Sequence, residues 1–325
     1  MDIFDMLKGR IEGKNLKIVY PEGNDERILG AALRHQKDGI LHPIVLGDPE
    51  ELKKIAQDHD WELGDLEIID PNHYEDYEKM VDLFVERRHG KATKEQAEEK
   101  LRDRNYFGTM LVYMDLADGM VSGAAGPTGD TIRPGLQIIK TKPGASLVSG
   151  IMVMVGPKDE RYIFGDIAVT IAPTEEQLAE IANTSAESAK FFDIDPKVAM
   201  LSFSSKGSAH SPEQEKMARA TEIAKEKYPD LEVDGELQFD AALVPEVAKS
   251  KAPDSPVAGK ARVFVFPDLQ AGNIGYKIGQ RLGGFQALGP ILQGMVKPVN
   301  DLSRGCSEDD AYKLAIITAA SSLQK

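Results

Sequence analysis

Short β-branched runs alternate along the chain with longer stretches in which apolar and polar residues mix at helical spacing. The runs are Lys17-Ile18-Val19-Tyr20, Pro43-Ile44-Val45-Leu46, Leu147 to Val155, Lys197 to Phe203, and Arg262-Val263-Phe264-Val265-Phe266. The last is almost continuously apolar, the pattern of a strand buried on both faces. Helix starts are equally well marked. Thr174-Glu175-Glu176-Gln177 reads as a capping box, and Leu178, Ile181, Ala182, Ser185 and Ala189 follow at helical spacing. Ser211-Pro212-Glu213-Gln214 is a second box with proline at the first helical position, and Thr93-Lys94-Glu95-Gln96 is a third. This alternation predicts an α/β protein with a largely parallel sheet.

The chain shows no internal repeat and no low-complexity tract. Lys140-Thr141-Lys142-Pro143-Gly144 is the best linker candidate, and the Gly-rich region from Gly272 to Gly294 is read as a second crossing. Two crossings would leave the last 30 or so residues free to rejoin the first domain. The length of 325 residues agrees with about two domains, at roughly 100–200 residues each.

Composition narrows the function classes. Hydrophobic residues make up 42% and charged residues 28%, which excludes a disordered or collagenous chain. No apolar run approaches the roughly 18 residues of a bilayer span. The opening MDIFDMLKGRIEGKN lacks an apolar h-region, so no signal peptide is expected. The single cysteine, Cys306, forbids an internal disulfide and fits a reducing, cytoplasmic compartment. There are 39 Lys and Arg against 53 Asp and Glu, a net charge of −14. Such a surface repels nucleic acid and anionic membranes, so neither is expected as a partner. An anionic substrate would need a local arginine cluster to overcome that field.

Several familiar motifs are absent. There is no G-x-x-x-x-G-K-[ST], no G-x-G-x-x-G and no G-x-S-x-G. The six histidines show no H-x-x-x-H or H-x-H pairing, and one cysteine leaves no ligand set for a structural zinc site. No metal is expected, and each histidine reads as a surface or satisfied residue.

Three stretches remain. The densest is Lys297-Pro298-Val299-Asn300-Asp301-Leu302-Ser303-Arg304-Gly305-Cys306-Ser307-Glu308-Asp309-Asp310, which opens the final helix. A hydroxyl, an arginine and a glycine before a helix suit an anion: free N–H groups point at it, Gly305 permits close approach, and Arg304 adds a two-pronged contact. The plain alternative is a cap. Ser307-x-x-Asp310 resembles a capping box, and local grammar alone favours that role for Asp310. Cys306 reads as a small buried hydrophobe rather than a nucleophile. The second stretch, Thr128-Gly129-Asp130-Thr131-Ile132-Arg133-Pro134-Gly135, either holds an anion through Arg133 or is a capped helix start with an exposed arginine. The third, Glu86-Arg87-Arg88-His89-Gly90-Lys91, is a basic knot whose simpler reading is a helix end with cations complementing the dipole.

Across essentially its whole length the sequence resembles the phosphate acetyltransferase (phosphotransacetylase) family. The match is densest in Phe266-Pro267-Asp268-Leu269, Gly272-Asn273-Ile274-Gly275-Tyr276-Lys277, Gly289-Pro290-Ile291-Leu292-Gln293-Gly294 and Lys297 to Gly305. Gly129 to Pro134 and Lys249-Ser250-Lys251-Ala252-Pro253 also fit. The resemblance implies two domains with mostly parallel sheets flanked by helices, similar to isocitrate and isopropylmalate dehydrogenases. It places residues 1–142 with 294–325 in one domain, 143–293 in the other, and the active site in the cleft between them. It implies reversible acetyl transfer between acetyl phosphate and coenzyme A, with phosphate released, by direct thiolate attack in a ternary complex. Coenzyme A is then a co-substrate, no cofactor is tightly bound, and the enzyme is a homodimer.

On that resemblance Asp310 matches the general base and Ser303 the residue bonded to the thiol region of coenzyme A. Arg304, Arg133 and one of Arg87 and Arg88 match positions that bind acetyl phosphate, with Arg88 favoured from its spacing to Gly90-Lys91. One departure stands out: Gly126-Pro127-Thr128 replaces the His-Ser-Thr usual before the Asp-Thr element. The chemistry is demanding for a carboxylate base. A gap of about 4.5 units to a thiol near 8.5 is roughly 6 kcal/mol uphill, whereas holding the reactants in line removes about 7–11 kcal/mol. Positioning and charge stabilisation are therefore expected to outweigh base catalysis. The near alternative is a phosphate butyryltransferase-like enzyme, since pocket volume discriminates by only about 1–3 kcal/mol per methylene. More distant ones are a metal-dependent hydroxyacid dehydrogenase of similar fold and a catalytically silent binding protein.

Overall fold

The computed structural model describes residues 2–324. The chain divides into two compact units: residues up to Lys142 together with those from Met295 onward, and Pro143–Gly294. In chain order the first unit contains α1 (Ile3–Ile11), β1 (Lys17–Tyr20), α2 (Glu26–Asp38), β2 (His42–Leu46), α3 (Pro49–Asp58), β3 (Glu67–Ile69), α4 (Tyr77–Arg88), α5 (Lys94–Lys100), α6 (Arg104–Tyr113), β4 (Gly119–Ser122) and α7 (Thr128–Ile138). The second contains β5 (Ser149–Val155), β6 (Arg161–Gly165), α8 (Glu175–Phe191), β7 (Val198–Leu201), α9 (Pro212–Lys227), β8 (Val233–Leu237), α10 (Phe239–Leu243), α11 (Pro245–Lys251), β9 (Val263–Val265), α12 (Leu269–Gly283) and β10 (Gln286–Gln293). The chain then returns to the first unit with β11 (Val299–Asp301) and α13 (Glu308–Ser322).

The first sheet has the order β11-β4-β1-β2-β3 and is parallel throughout. Ile18, Val19 and Tyr20 of β1 and Ile44, Val45 and Leu46 of β2 are all buried. Successive buried residues mean that both faces of the sheet are covered, as parallel sheets require. Each Ile or Val so placed contributes about 1.5–3 kcal/mol relative to exposure. The return of the last residues has a clear driving force. Helix α13 buries Ala311, Tyr312 and every residue from Leu314 to Ala320, and a helix apolar all round must sit inside a core. It packs against α1, α2 and β4. Asn300 of β11, itself buried, donates from Nδ2 to Thr318 Oγ1 at 2.8 Å and ties strand to helix.

The second sheet has the order β10-β5-β6-β9-β7-β8. Its β6-β9-β7-β8 part is parallel, while β10-β5 and β5-β6 are antiparallel. Phe264 of β9 lies at the centre of its core with Phe164, Met152, Leu237 and Tyr276.

Several expectations are refined. Of Lys197 to Phe203 only Val198–Leu201 is strand, and Phe203 is exposed. The second crossing falls at the very end of the Gly272–Gly294 region, after Gly294; the rest of the region forms most of α12 and all of β10. Glycine tolerates a helix when the chain packs closely, and a Cβ on Gly272 would fall 2.9 Å from the Asp166 carbonyl. The Thr93 and Thr174 capping boxes form fully. At Ser211 only the serine half forms, through the Gln214 N–H at 3.2 Å. Among the described residues no helix is long and apolar enough to cross a membrane.

Candidate active site

The first sheet creates a place for chemistry by its strand order alone. From β1 the chain runs outward to β2 and β3, then returns to β4 on the other side of β1. The carboxyl ends of β1 and β4 therefore flank a topological switch point, where open α/β sheets bind ligands. Glu22, two residues beyond β1, reaches across it. Its carboxylate accepts the backbone N–H of Gly123 at 2.8 Å, Ala124 at 2.7 Å and Ala125 at 3.0 Å. Successive amides of this kind form an anion-binding concavity, and here the protein's own carboxylate fills it. These amides are therefore not open to an outside anion.

The neighbouring strand end, β11, delivers the sequence-predicted residues. Val299 to Leu302 are buried, and the chain then emerges with Ser303, Arg304 and Gly305 exposed. Ser303 Oγ accepts the Gly305 N–H at 3.3 Å and Ser303 O accepts the Cys306 N–H at 2.9 Å, which closes a tight turn. Among the described residues the Arg304 guanidinium forms no ion pair. Its carbonyl, however, is held by Arg27. The Arg27 guanidinium donates to Arg304 O at 2.9 Å, Cys306 O at 3.0 Å and Ala124 O at 2.9 Å. It also forms a two-pronged pair with Asp25, at 2.9 and 2.6 Å, which holds the Asp25 carboxyl below the usual range. Arg27 thus latches the β11–α13 turn to the loop after β4, and its own charge is matched by Asp25.

At the start of α13 the capping box is fully formed. Asp310 Oδ2 accepts the Ser307 N–H at 2.8 Å and the Ser307 hydroxyl at 2.9 Å, while Ser307 Oγ accepts the Asp310 N–H at 3.2 Å. The expected cap is present, and it leaves Asp310 Oδ1 unengaged among the described residues. The other two acidic residues of this turn are occupied: Arg34 pairs with Glu308 at 3.4 Å and Asp309 at 3.0 Å, and Lys313 pairs with Asp309 at 2.7 Å. Of the three carboxylates only Asp310 lacks a cation. The reading of this helix end as an amide-lined anion site needs correction. Its N3 amide is capped by Ser307 and three carboxylates crowd its first turn, a poor setting for an anion held by helix amides.

Arg133 lies on α7, which follows β4, and β4 pairs directly with β11. Its side chain is 61% exposed and its guanidinium lies 3.8 Å from Asp130 Oδ1. Arg88, on the last turn of α4, donates to Gln137 O at 3.3 Å. Arg133 and Arg88 share Tyr106 as a neighbour, and both charges oppose the burial that raises its phenol. Arg87 is the more constrained of the basic pair. It bonds Ile138 O at 2.6 Å and Ile139 O at 3.1 Å, and lies over the Tyr113 ring at 5.0 Å.

Three buried groups complete the picture. Burial raises the Cys306 thiol to about 11, against the pull of Arg27, which suits the small buried hydrophobe expected. Asp301, 1% exposed, has neither carboxylate oxygen in a hydrogen bond. Burial pushes it up to about 6, against the pull of the Thr128 and Thr131 hydroxyls and with a push from Glu22. Gly123, at φ +106°, passes so close to Asp301 Oδ1 that a Cβ there would collide with it. His35, also buried, is kept neutral near 3 by desolvation; it meets Tyr312 O at 3.0 Å and stacks on the Tyr312 ring. Among the described residues no three His, Cys, Asp or Glu side chains stand together as a metal site. A hollow of about 530 Å³ beside Arg27 is lined by Asp25, Glu26 and Asp58 among others, an acidic setting for an anion. Glu22, Arg27 and the buried state of Asp301 were not singled out from sequence.

Residues 2–319 match the family described as phosphate acetyl/butaryl transferase. The chain is 58% identical over 322 residues to a phosphate acetyltransferase of Bacillus subtilis, covering 99% of both chains. It is similar to the crystal structure of a phosphotransacetylase from Streptococcus pyogenes, with TM-score 0.95 and 60% identity over 99% of this chain and 98% of that one. A phosphotransacetylase from Staphylococcus aureus gives TM-score 0.91 and 56% identity over the same shares.

Proposed function

Because the chain belongs to the phosphate acetyl/butaryl transferase family, we propose that it transfers an acetyl group reversibly between acetyl phosphate and coenzyme A, using the carboxyl end of its first sheet. The observation that carries this is one turn, Ser303 to Asp310. It presents a hydroxyl, an unpaired guanidinium and the one carboxylate of its helix end without a cation. Arg133 stands on the helix after the adjacent strand, and Arg88 shares its neighbour Tyr106.

In this reading Arg304, Arg133 and Arg88 hold acetyl phosphate, and Arg304 also stabilises the oxyanion that forms when the thiolate attacks the carbonyl. Such donors are worth about 10²–10³ in rate. Asp310 keeps both its roles: Oδ2 caps α13 and thereby aims Oδ1, which takes the thiol proton. Ser303 orients the thiol, its oxygen engaged by Gly305 N–H and its proton free to donate. The buried thiol of Cys306 takes no part, so transfer is direct and needs no acyl-enzyme. Arg27 and Glu22 fix the two loops that carry these groups.

Acetyl is favoured over butyryl by the 58% identity to a phosphate acetyltransferase over nearly the whole of both chains. A homodimer is part of the proposal. Ile274, Ile278 and Leu282 recur at helical spacing on α12 and are 57%, 54% and 85% exposed, an apolar stripe that a second copy would cover. The test is thioester formation from coenzyme A with acetyl phosphate or butyryl phosphate. The proposal expects a clear preference for acetyl phosphate. Equal use of both, or no thioester with either, contradicts it.

A further inference from the structure

Four cations gather where α4 ends beside the end of α7: Arg87, Arg88, Lys91 and Lys140. Arg87 and Arg88 bond the carbonyls of residues 137 to 139, and Lys140 is the next residue along the chain. The Lys91 N–H bonds Arg88 O at 3.1 Å. Among the described residues none of the four pairs with a carboxylate, although the chain carries a net charge of −14. In an acidic protein an unneutralised basic cluster concentrates small anions.

The Lys140 backbone is fixed on both sides. Its N–H bonds Gly135 O at 2.9 Å and its carbonyl accepts the Val296 N–H at 3.1 Å. It is held at φ +69°, a left-handed conformation in which glycine would avoid steric cost. Slight desolvation and the charges of Arg87, Arg88 and Lys91 push its amine below the ordinary lysine range, which increases the share of the nucleophilic neutral form.

We propose that Lys140 is a self-acylation site, a lysine that an acyl phosphate drawn to this cluster acetylates directly. The proposal rests on acetyl phosphate being a ligand of this protein. The neutral Nζ attacks the acetyl carbonyl carbon. A C–N bond forms, the C–O bond to phosphorus breaks, phosphate leaves with the electron pair, and the surplus amine proton passes to phosphate or water. The product is an uncharged amide, so each event removes one cation from the cluster and weakens its hold on phosphate ligands.

The experiment incubates the intact protein with acetyl phosphate, with and without excess inorganic phosphate, and quantifies acetylation of each lysine by peptide mass spectrometry. Thioester formation with coenzyme A is assayed on the same preparation beforehand, so that failure of the enzymatic reading is seen separately. The expected result is acetylation of Lys140 several-fold faster than of the exposed Lys53 and Lys54 on α3, with phosphate protecting Lys140 alone. Modification of Lys140 at the rate of Lys53 and Lys54, preferential modification of Lys91, or no protection by phosphate overturns the proposal.

Discussion

Asp234 and Asp301 are both aspartates on short strands, and both are buried, at 2% and 1% exposure. Their surroundings are opposite. Asp234, on β8 of the second unit, accepts from Lys206 Nζ at 2.6 Å, Lys225 Nζ at 2.8 Å and Ser255 Oγ at 2.5 Å. Burial alone would raise its carboxyl, but these bonds outweigh it and bring it down to about 2. Asp301, on β11 of the first unit, has no cation, and burial leaves it at about 6. One strand end is built to close a charge, the other to leave one unmet beside Ser303 and Arg304. Unmatched polar groups mark sites where stability gives way to function.

The contrast is testable because the two aspartates have opposite linkage. The folded-state value of Asp301 lies above its unfolded value near 3.8. Its contribution is therefore fully present at acid pH and lost as pH rises towards 6, leaving a deficit of about 3 kcal/mol above that. Asp301→Asn should raise the unfolding free energy by up to that amount at pH 8, and by less at pH 5, in chemical denaturation. A loss of stability at pH 8 would mean that the carboxylate is paired in solution. Asp234→Asn should do the reverse. It forfeits up to about 2 kcal/mol at pH 7, reduced because both lysines are more than a third exposed. The contribution vanishes as pH falls through about 2, where the native carboxyl also protonates. Lys225→Met is the smallest change: Lys206 still pairs with Asp234, and the expected loss is about 1 kcal/mol or less. A loss as large as that of Asp234→Asn would show that the cluster acts as a unit.

Much of this was legible from local pattern. The strand centres, the Thr93, Thr174 and Ser307 caps, and the buried character of Cys306 depend on neighbours in sequence and form where their residues predict, although the Lys197 to Phe203 run shortens to Val198–Leu201. Ser303, Arg304 and Asp310 stand in one turn that local pattern marks as an anion site or a cap; the roles proposed for Ser303 and Asp310 come from the family resemblance. Arg27 was not legible. Its carbonyl acceptors lie 97, 277 and 279 positions away, and nothing within its own helix marks it as a latch. Glu22 was hidden likewise, since the amides it engages belong to the loop after β4, more than 100 residues later. Asp301 stood inside a quoted motif, but its exclusion from water depends on how β11 joins the sheet. In the Gly-rich region glycine serves two ends: at Gly272 it permits close packing, and the crossing comes only after Gly294.

The central claim is that the turn after β11 works chiefly by placing charge, with proton removal secondary. The most direct measurement compares kcat/KM for thioester formation by the parent protein, Arg304→Ala and Asp310→Asn. The account predicts a loss of about 10³-fold for Arg304→Ala and a smaller loss for Asp310→Asn. Arg304→Ala retaining parental kcat/KM, or Asp310→Asn proving the more damaging, would contradict it.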